Sequence, residues 1–212
     1  MIPIKVLVPS GVLGLGFDLE ALNNGVKNNP DIISIDGGST DSGPYSLGSG
    51  TSKYSRAAIK AEWKSLMIAR KKANVPLVIG SCGTCGTNGM VDWMENITIE
   101  LAEELNQNIK IAKLYCQQEK NFIKKKFQLS KIFPLNPAPM LNDQLIDEMT
   151  NIVALAGAEQ IQECINTGAE IILAGRTTDT AIISALPLMK GANPGSSWHG
   201  SKVVECGALC ST

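Results

Sequence analysis

Short runs of apolar residues recur along the chain, and each run ends in a polar stretch. The runs are IKVLVPS at 4–10, DIISID at 31–36, VPLVIGS at 75–81, IKIAKLY at 109–115 and AEIILAG at 169–175. Continuous apolar runs of this length, as opposed to alternating ones, are typical of strands that are buried on both faces. The pattern therefore predicts the strands of a parallel sheet.

The segments between these runs have helical periodicity. Residues 55–73 place Ile59, Trp63, Leu66, Met67 and Ile68 near one helix face, and residues 90–105 repeat the arrangement with Val91, Met94, Ile97, Leu101 and Leu105. Strands that alternate with helices predict right-handed crossovers. We therefore expect an α/β fold: an open, mostly parallel sheet with helices on both faces, in Rossmann-like layering.

Composition and charge narrow the choice of partners. The 212 residues, of which 44% are hydrophobic, fit one globular domain over 1–212. The alternative is a change of subdomain near 133–142, where FPLNPAPM interrupts the pattern. The formal net charge of -1 predicts no nucleic-acid partner. No apolar stretch reaches the ~18 residues of a membrane span, and no signal peptide is recognisable, so we expect a cytoplasmic protein.

The candidate chemistry follows the predicted strands. Because the carboxyl ends of parallel strands meet at one edge of a sheet, the polar residues after each strand are expected to share one rim. The substrate-binding candidates are Gly37, Gly38, Ser39, Thr40, Ser81, Gly83, Thr84, Gly86, Arg176 and Asp179. For any one loop, the alternative is that these residues form turns and helix caps, as Thr178 or Asp179 would for the following helix.

Each group of candidates has a physical role. The glycine-rich 80–87 loop before a helix suits an anion cradle, and the guanidinium of Arg176 suits a carboxylate or phosphate, or else an internal ion pair. His199, the single histidine, is the leading candidate for proton transfer, together with Asp41 and Asp36. The alternative for His199 is a packed or surface position.

Other chemistries remain open. Asp36, Asp41 and Asp179 form a ligand set of the kind that Mg²⁺ or Mn²⁺ prefers. Cys82 and Cys85 form a C-x-x-C pair that, with Cys206 and Cys210, would suit zinc, or one thiol would act as a nucleophile. The glycines at 11, 14 and 16 miss the dinucleotide-binding spacing and leave only a weak nucleotide hypothesis.

Four strings, taken in order, resemble one family. IDGGSTDSGPYSLGSG, IGSCGTCG, ILAGRTTDTAI and WHGSKVVECGA are similar to motifs of the acyclic terpene utilisation (AtuA) family of bacterial proteins. The resemblance implies that the chain is the N-terminal portion of a longer protein, so that an oligomer or a C-terminal partner polypeptide completes it. It also implies a role in acyclic terpene and acyl-CoA catabolism, with CoA as a substrate moiety.

Residues and resemblance together give a leading hypothesis and two alternatives. We expect an enzyme that acts on a small carboxylate or acyl-CoA by proton transfer beside a carbonyl, as a hydratase, lyase or isomerase does. The first alternative is a lyase or hydrolase that depends on a divalent metal at Asp36, Asp41 and Asp179. The second is a non-catalytic subunit of a larger complex.

Overall fold

An open parallel sheet organises the molecule. The computed structural model describes residues 3–39, 43–137 and 140–207. Its strands pair in parallel in the order β1-β2-β3-β5-β4, which confirms the predicted α/β class. The strands are β1 Val6–Leu7, β2 Ile32–Asp36, β3 Leu77–Gly80, β4 Ile111–Leu114 and β5 Ile171–Ala174.

The helices of the described residues cover both faces of the sheet. They are α1 Leu19–Lys27, α2 Tyr45–Ser49, α3 Arg56–Ala73, α4 Asn88–Glu104, α5 Lys120–Gln128, α6 Asp143–Glu148, α7 Ala158–Asn166, α8 Ala181–Met189 and α9 Pro194–Val204. The chain advances from β1 to β4 in one direction and then returns to β5. Right-handed crossovers therefore place α1, α3 and α4 on one face and α7 on the other, where α7 packs on α8 and α8 on α9.

Two apolar layers hold these helices to the sheet. Ile33 and Ile35 of β2 point into the layer of α1, α3 and α4, whereas Ile32 points into the layer of α7 and α8. Trp63 is fully buried in the first layer, and its indole N–H donates to Thr98 Oγ1 at 2.9 Å. The alternation of side chains along each strand thus places apolar residues on both faces, as the continuous runs predicted.

The predicted helix faces are correct with one exception. Ile59, Trp63, Leu66 and Met67 are buried, but Ile68 is 48% exposed. At about 100° per residue, Ile68 lies roughly 140° around the helix from Trp63, so it points away from the sheet.

Two further features concern the described residues only. The proline-rich segment between α5 and α6 has no helix or strand in its described part, and it exposes Phe133, Leu135 and Met140. No described helix has both the length and the apolar character that a membrane crossing requires.

Candidate functional site

A crevice of about 220 Å³ lies at the carboxyl ends of the strands. The loop after β1 contributes Gly11 and Val12, and the loop after β2 contributes Asp36. Thr84 follows β3, and Asp179 follows β5. Four strand ends therefore line one crevice, and the C-terminal end of α9 closes it with Glu205 and Cys206.

Glycines let these strand-end loops pack directly against one another. A Cβ on Gly37 would lie 2.4 Å from Ser81 O, and one on Gly86 would lie 2.4 Å from Arg176 N. Real Cβ atoms essentially never come so close to backbone, so neither position accepts a side chain without movement. These glycines bring the β2, β3 and β5 loops together, which fixes the spacing of the crevice walls.

Asp36 is a buried acid that lines the crevice. It ends β2 with 3% exposure, and its Oδ2 accepts a hydrogen bond of 2.9 Å from Gly38 N–H. Burial and then the nearby charge of Asp179 raise its pKa from 3.8 to about 7, against the opposing effects of Gly38 N–H, Arg176 and Ser81. A carboxyl group with this pKa is present in both protonation states near neutral pH, as a group that both accepts and donates protons requires.

Arg176 ties two loops together. Its Nη1 donates to Gly38 O and to Thr84 O, each at 3.1 Å. It forms no ion pair with an acid among the described residues, so the internal-pair alternative does not apply there. Arg176 is not among the residues that line the crevice, but its guanidinium lies near enough to Asp36 to lower the pKa of that carboxyl group.

The loop after β3 is held by backbone hydrogen bonds, both within the loop and to the end of β5. Residues 81–87 are all buried, and the N–H groups of Ser81, Cys82 and Gly86 donate to backbone carbonyls at 2.8 to 3.0 Å. These amides are committed and do not face a ligand. Of Ser81, Gly83, Thr84 and Gly86, Thr84 is the residue that lines the crevice, and its φ of +68° is rare for a β-branched residue.

The surroundings of Cys82 and Cys85 do not favour zinc binding or nucleophilic attack by a thiolate. Cys82 and Cys85 are buried, and desolvation raises the pKa of the Cys82 thiol, which disfavours the thiolate that binds metal or attacks a substrate. Cys206 is an exposed free thiol at the crevice, while Cys210 lies outside the described residues.

The structure describes only some of the predicted metal ligands. Asp36 and Asp179 both line the crevice, but the third predicted ligand, Asp41, lies outside the described residues, as does Thr40. Within the part of the chain that the structure describes, no group of three or more His, Cys, Asp or Glu side chains is placed to hold a metal ion.

His199 lies apart from these residues. Helix α9 buries Ser197 and Ser201, and the Ser184 hydroxyl donates to Ser201 Oγ at 2.7 Å across the contact with α8. His199, two residues from each buried serine, is on the exposed side of the helix and does not line the crevice. The neighbouring Lys202 forms an ion pair with Glu205.

Helix α8 begins later than the sequence indicated. It starts at Ala181 with Thr180 as N-cap, so the prediction of Thr178 or Asp179 as N-cap is wrong. Thr178 precedes the helix, and its Oγ1 accepts a hydrogen bond of 3.2 Å from Ala181 N–H. Asp179 lines the crevice.

Two residues that line the crevice, Lys53 and Tyr54, have no clear signal in the sequence. They belong to the segment of the chain that connects α2 and α3. Lys53 is exposed, its Nζ lies 5.7 Å from the centroid of the Tyr54 ring, and its N–H donates to Thr84 Oγ1 at 3.2 Å. It forms no ion pair with another described residue. The only signal was a single cation in the polar stretch TSKYS, and no strand precedes that stretch.

The side chain of Glu62, in α3, binds the glycine-rich loop after β1. Its carboxylate accepts from Gly14 N–H at 2.6 Å and from Gly16 N–H at 2.9 Å. Burial raises the pKa of Glu62, and the two N–H groups oppose this. The amides that a nucleotide phosphate would need are therefore bound by a side chain of α3, which removes the basis of the weak nucleotide hypothesis.

Comparison with known proteins points to one family. A family model described as "Acyclic terpene utilisation family protein AtuA" matches residues 46–210, which is most of the chain. The matched region contains α3, the loops after β3 and β5, and α9. Comparison with curated proteins gives no match, and neither does comparison with solved structures.

Proposed function

Because the chain belongs to the acyclic terpene utilisation family AtuA, we propose that it is an enzyme of branched or terpenoid acid catabolism. In this proposal it transfers a proton beside the carbonyl group of a carboxylate or acyl-CoA, as a hydratase, lyase or isomerase does. The observation that carries the proposal is Asp36: a buried carboxyl group in a strand-end crevice, with a pKa of about 7.

The proton transfer has two halves. Ionised Asp36 accepts a proton from the carbon next to the carbonyl, and the electron pair of that C–H bond moves toward the carbonyl oxygen. Protonated Asp36 then gives the proton to a carbon of the same intermediate or to a leaving group. Asp41 is proposed as a second proton-transfer group.

The positive charges would bind the anionic part of the substrate. Lys53 has no ionic partner among the described residues and lines the crevice, and Arg176 lies near enough to Asp36 to act on its pKa. Both would stabilise a carboxylate or the negative charge that develops on a carbonyl oxygen. Val12 and Leu15 offer an apolar wall to the carbon chain.

The size of the crevice limits which part of a substrate enters. An apolar cavity of about 150 Å³ accepts benzene, so a crevice of about 220 Å³ holds roughly nine non-hydrogen atoms. The acyl end of a substrate fits within that limit. The CoA portion would lie outside.

Deuterium exchange tests the proposal without knowledge of the natural substrate. The protein is incubated in D₂O with a panel of short carboxylic acids and their CoA esters, and mass spectrometry measures exchange at the carbon next to the carbonyl. We expect exchange in at least one compound and a loss of at least ~100-fold in Asp36→Asn. The matched control is Asp143→Asn, an exposed acid of α6 outside the crevice, which should behave as wild type. Equal exchange by Asp36→Asn, or none with any compound, would contradict the proposal.

One observation favours a metal-dependent variant of this function. The charge of Asp179 acts unfavourably on Asp36, and a divalent cation between the two carboxylates would relieve the repulsion. Elemental analysis of the purified protein for Mg and Mn tests this variant. Loss of exchange with EDTA, restored by either ion, would favour it over the metal-free reaction.

The exposed apolar side chains of the segment between α5 and α6 favour a partner polypeptide, or a second copy, at Phe133, Leu135 and Met140. Such a contact is compatible with an enzyme that is completed by a partner and with a non-catalytic subunit. The Asp36→Asn comparison separates these two, because a non-catalytic subunit has no exchange to lose.

A further inference from the structure

Two buried oxygens beside the crevice have no hydrogen-bond partner among the described residues. They are Oδ1 of Asp36 and Oγ1 of Thr177, which belong to residues that are 3% and 0% exposed. No described residue bonds to either atom. A buried polar atom without a partner is destabilising by about 1–3 kcal/mol, so native proteins rarely leave one unsatisfied.

Both oxygens lie next to Gly80, the last residue of β3. A Cβ placed on Gly80 would lie 2.2 Å from Thr177 Oγ1 and 3.4 Å from Asp36 Oδ1. The two oxygens are therefore no further apart than the sum of these distances, yet they do not bond directly. One water molecule, about 2.8 Å from each, spans a separation of this size.

Ser81 provides a third polar neighbour. Its hydroxyl donates to Thr177 O at 3.3 Å and accepts from Thr177 N–H at 3.4 Å, which fixes Thr177 against the start of the β3 loop. The same hydroxyl lies near enough to Asp36 to lower its pKa, but its single proton is given to Thr177 O. A buried water typically has two to four polar partners, and Asp36 Oδ1 and Thr177 Oγ1 provide two.

We propose that one water molecule binds between Asp36 Oδ1 and Thr177 Oγ1, and that Thr177 is a positioning residue which acts through this water. Gly38 N–H holds Oδ2 and the water holds Oδ1, so the plane of the carboxyl group is fixed relative to the crevice. The role of Thr177 in turnover rests on the proposed function of Asp36. The water site itself does not.

Crystal structures of three proteins test the water site directly: wild type, Thr177→Val and Thr177→Ser, at a resolution that resolves ordered water. Valine keeps the shape and loses the hydroxyl, whereas serine keeps the hydroxyl and loses the methyl group. We expect a water peak within hydrogen-bonding distance of Asp36 Oδ1 in wild type and in Thr177→Ser, and none in Thr177→Val. Absence of the peak in wild type, or its persistence in Thr177→Val, would overturn the proposal.

Kinetics of the same variants test the positioning role. With the compound that exchanges fastest in D₂O, Thr177→Val should lower kcat about 10- to 100-fold with KM nearly unchanged, and Thr177→Ser should restore most of kcat. A purely packing role predicts the reverse order, because serine leaves the larger gap. Equal kcat in wild type and Thr177→Val would overturn the positioning role. If no compound exchanges, the proposed function fails, while the crystal structures still decide the water site.

Discussion

The loops after β2 and β3 have similar compositions, but the structure uses them in opposite ways. The β2 loop brings Asp36 to the crevice with one carboxylate oxygen that no described residue bonds. The β3 loop buries residues 81–87 and turns the N–H groups of Ser81, Cys82 and Gly86 toward its own backbone and that of the β5 end. Glycine, serine and threonine at a strand end therefore do not by themselves identify a ligand loop, and the destination of the backbone hydrogen bonds does.

The two loops also differ in how burial shifts the pKa values of their titratable groups. Asp36 is buried beside another carboxylate and has a pKa of about 7, whereas burial raises the pKa of the Cys82 thiol and keeps it neutral. In the proposed function, the β2 loop carries the proton-transfer group, and the β3 loop forms the frame of the crevice. Substitutions in the two loops and around the crevice should separate these roles, with effects that decrease in the order given below.

The first prediction concerns the pH dependence of stability in Asp36→Asn. Since the pKa of Asp36 is raised from 3.8 to about 7, the folded state retains a proton that the unfolded state releases between those values. Its stabilising contribution is full below the lower value and is lost as the pH rises through the higher one. Between about pH 5 and about pH 8, urea unfolding should show wild type losing about 2–3 kcal/mol relative to Asp36→Asn. An equal difference at both pH values would contradict the account.

The second prediction concerns the frame. Gly86→Ala places a Cβ 2.4 Å from Arg176 N at a φ of +65°, so we expect it to destabilise the protein by about 1–3 kcal/mol. Gly89→Ala is the matched control, because it lies in α4 with no atom within 4 Å of its Cβ position. The control should be neutral or slightly stabilising, and urea unfolding of both variants gives the comparison. Equal stability of the two would show that the loops are not packed as described.

The third prediction concerns substrate binding by Lys53. Lys53→Met should raise KM for an anionic compound about tenfold, because a charge-assisted hydrogen bond is lost, and it should change kcat little. Lys131→Met, an exposed lysine outside the crevice, is the control and should leave both values unchanged. A wild-type KM in Lys53→Met would remove Lys53 from the site.

The smallest effect is expected at His199. Because His199 is exposed on α9 and does not line the crevice, His199→Gln should retain the exchange rate within about twofold. A loss of ~100-fold or more would restore it as a proton-transfer group, as the sequence first suggested.

Much of the fold follows from local pattern. Continuous apolar runs predict the strands because β2, β3 and β5 are buried on both faces, and helical periodicity identifies buried residues such as Trp63. The position of β5 between β3 and β4 has no local signal, because it depends on the return of the chain after β4. Ile68 was misassigned because an apolar residue five positions from Trp63 points to another side of the helix.

The site was less accessible to sequence reasoning. Asp36 was predicted from its place at a strand end, where the fold itself directs it to the crevice. Lys53 was not, since it approaches Thr84 across a sequence separation that no local pattern records. The hydrogen bonds of Gly14 and Gly16 to Glu62 likewise arise only in the folded chain. They bind these two N–H groups to a side chain, so the glycines do not indicate a phosphate site.

The most direct test of the central claim is the pKa of Asp36 in the folded protein. It can be measured by ¹³C NMR of aspartate carboxyl groups as a function of pH, with Asp36→Asn to assign the resonance. We expect a midpoint of about 7. A midpoint near the ordinary value of 3.8 would show that nearby hydrogen bonds and charges offset the burial of Asp36, and the proposed proton transfer would then lose its basis.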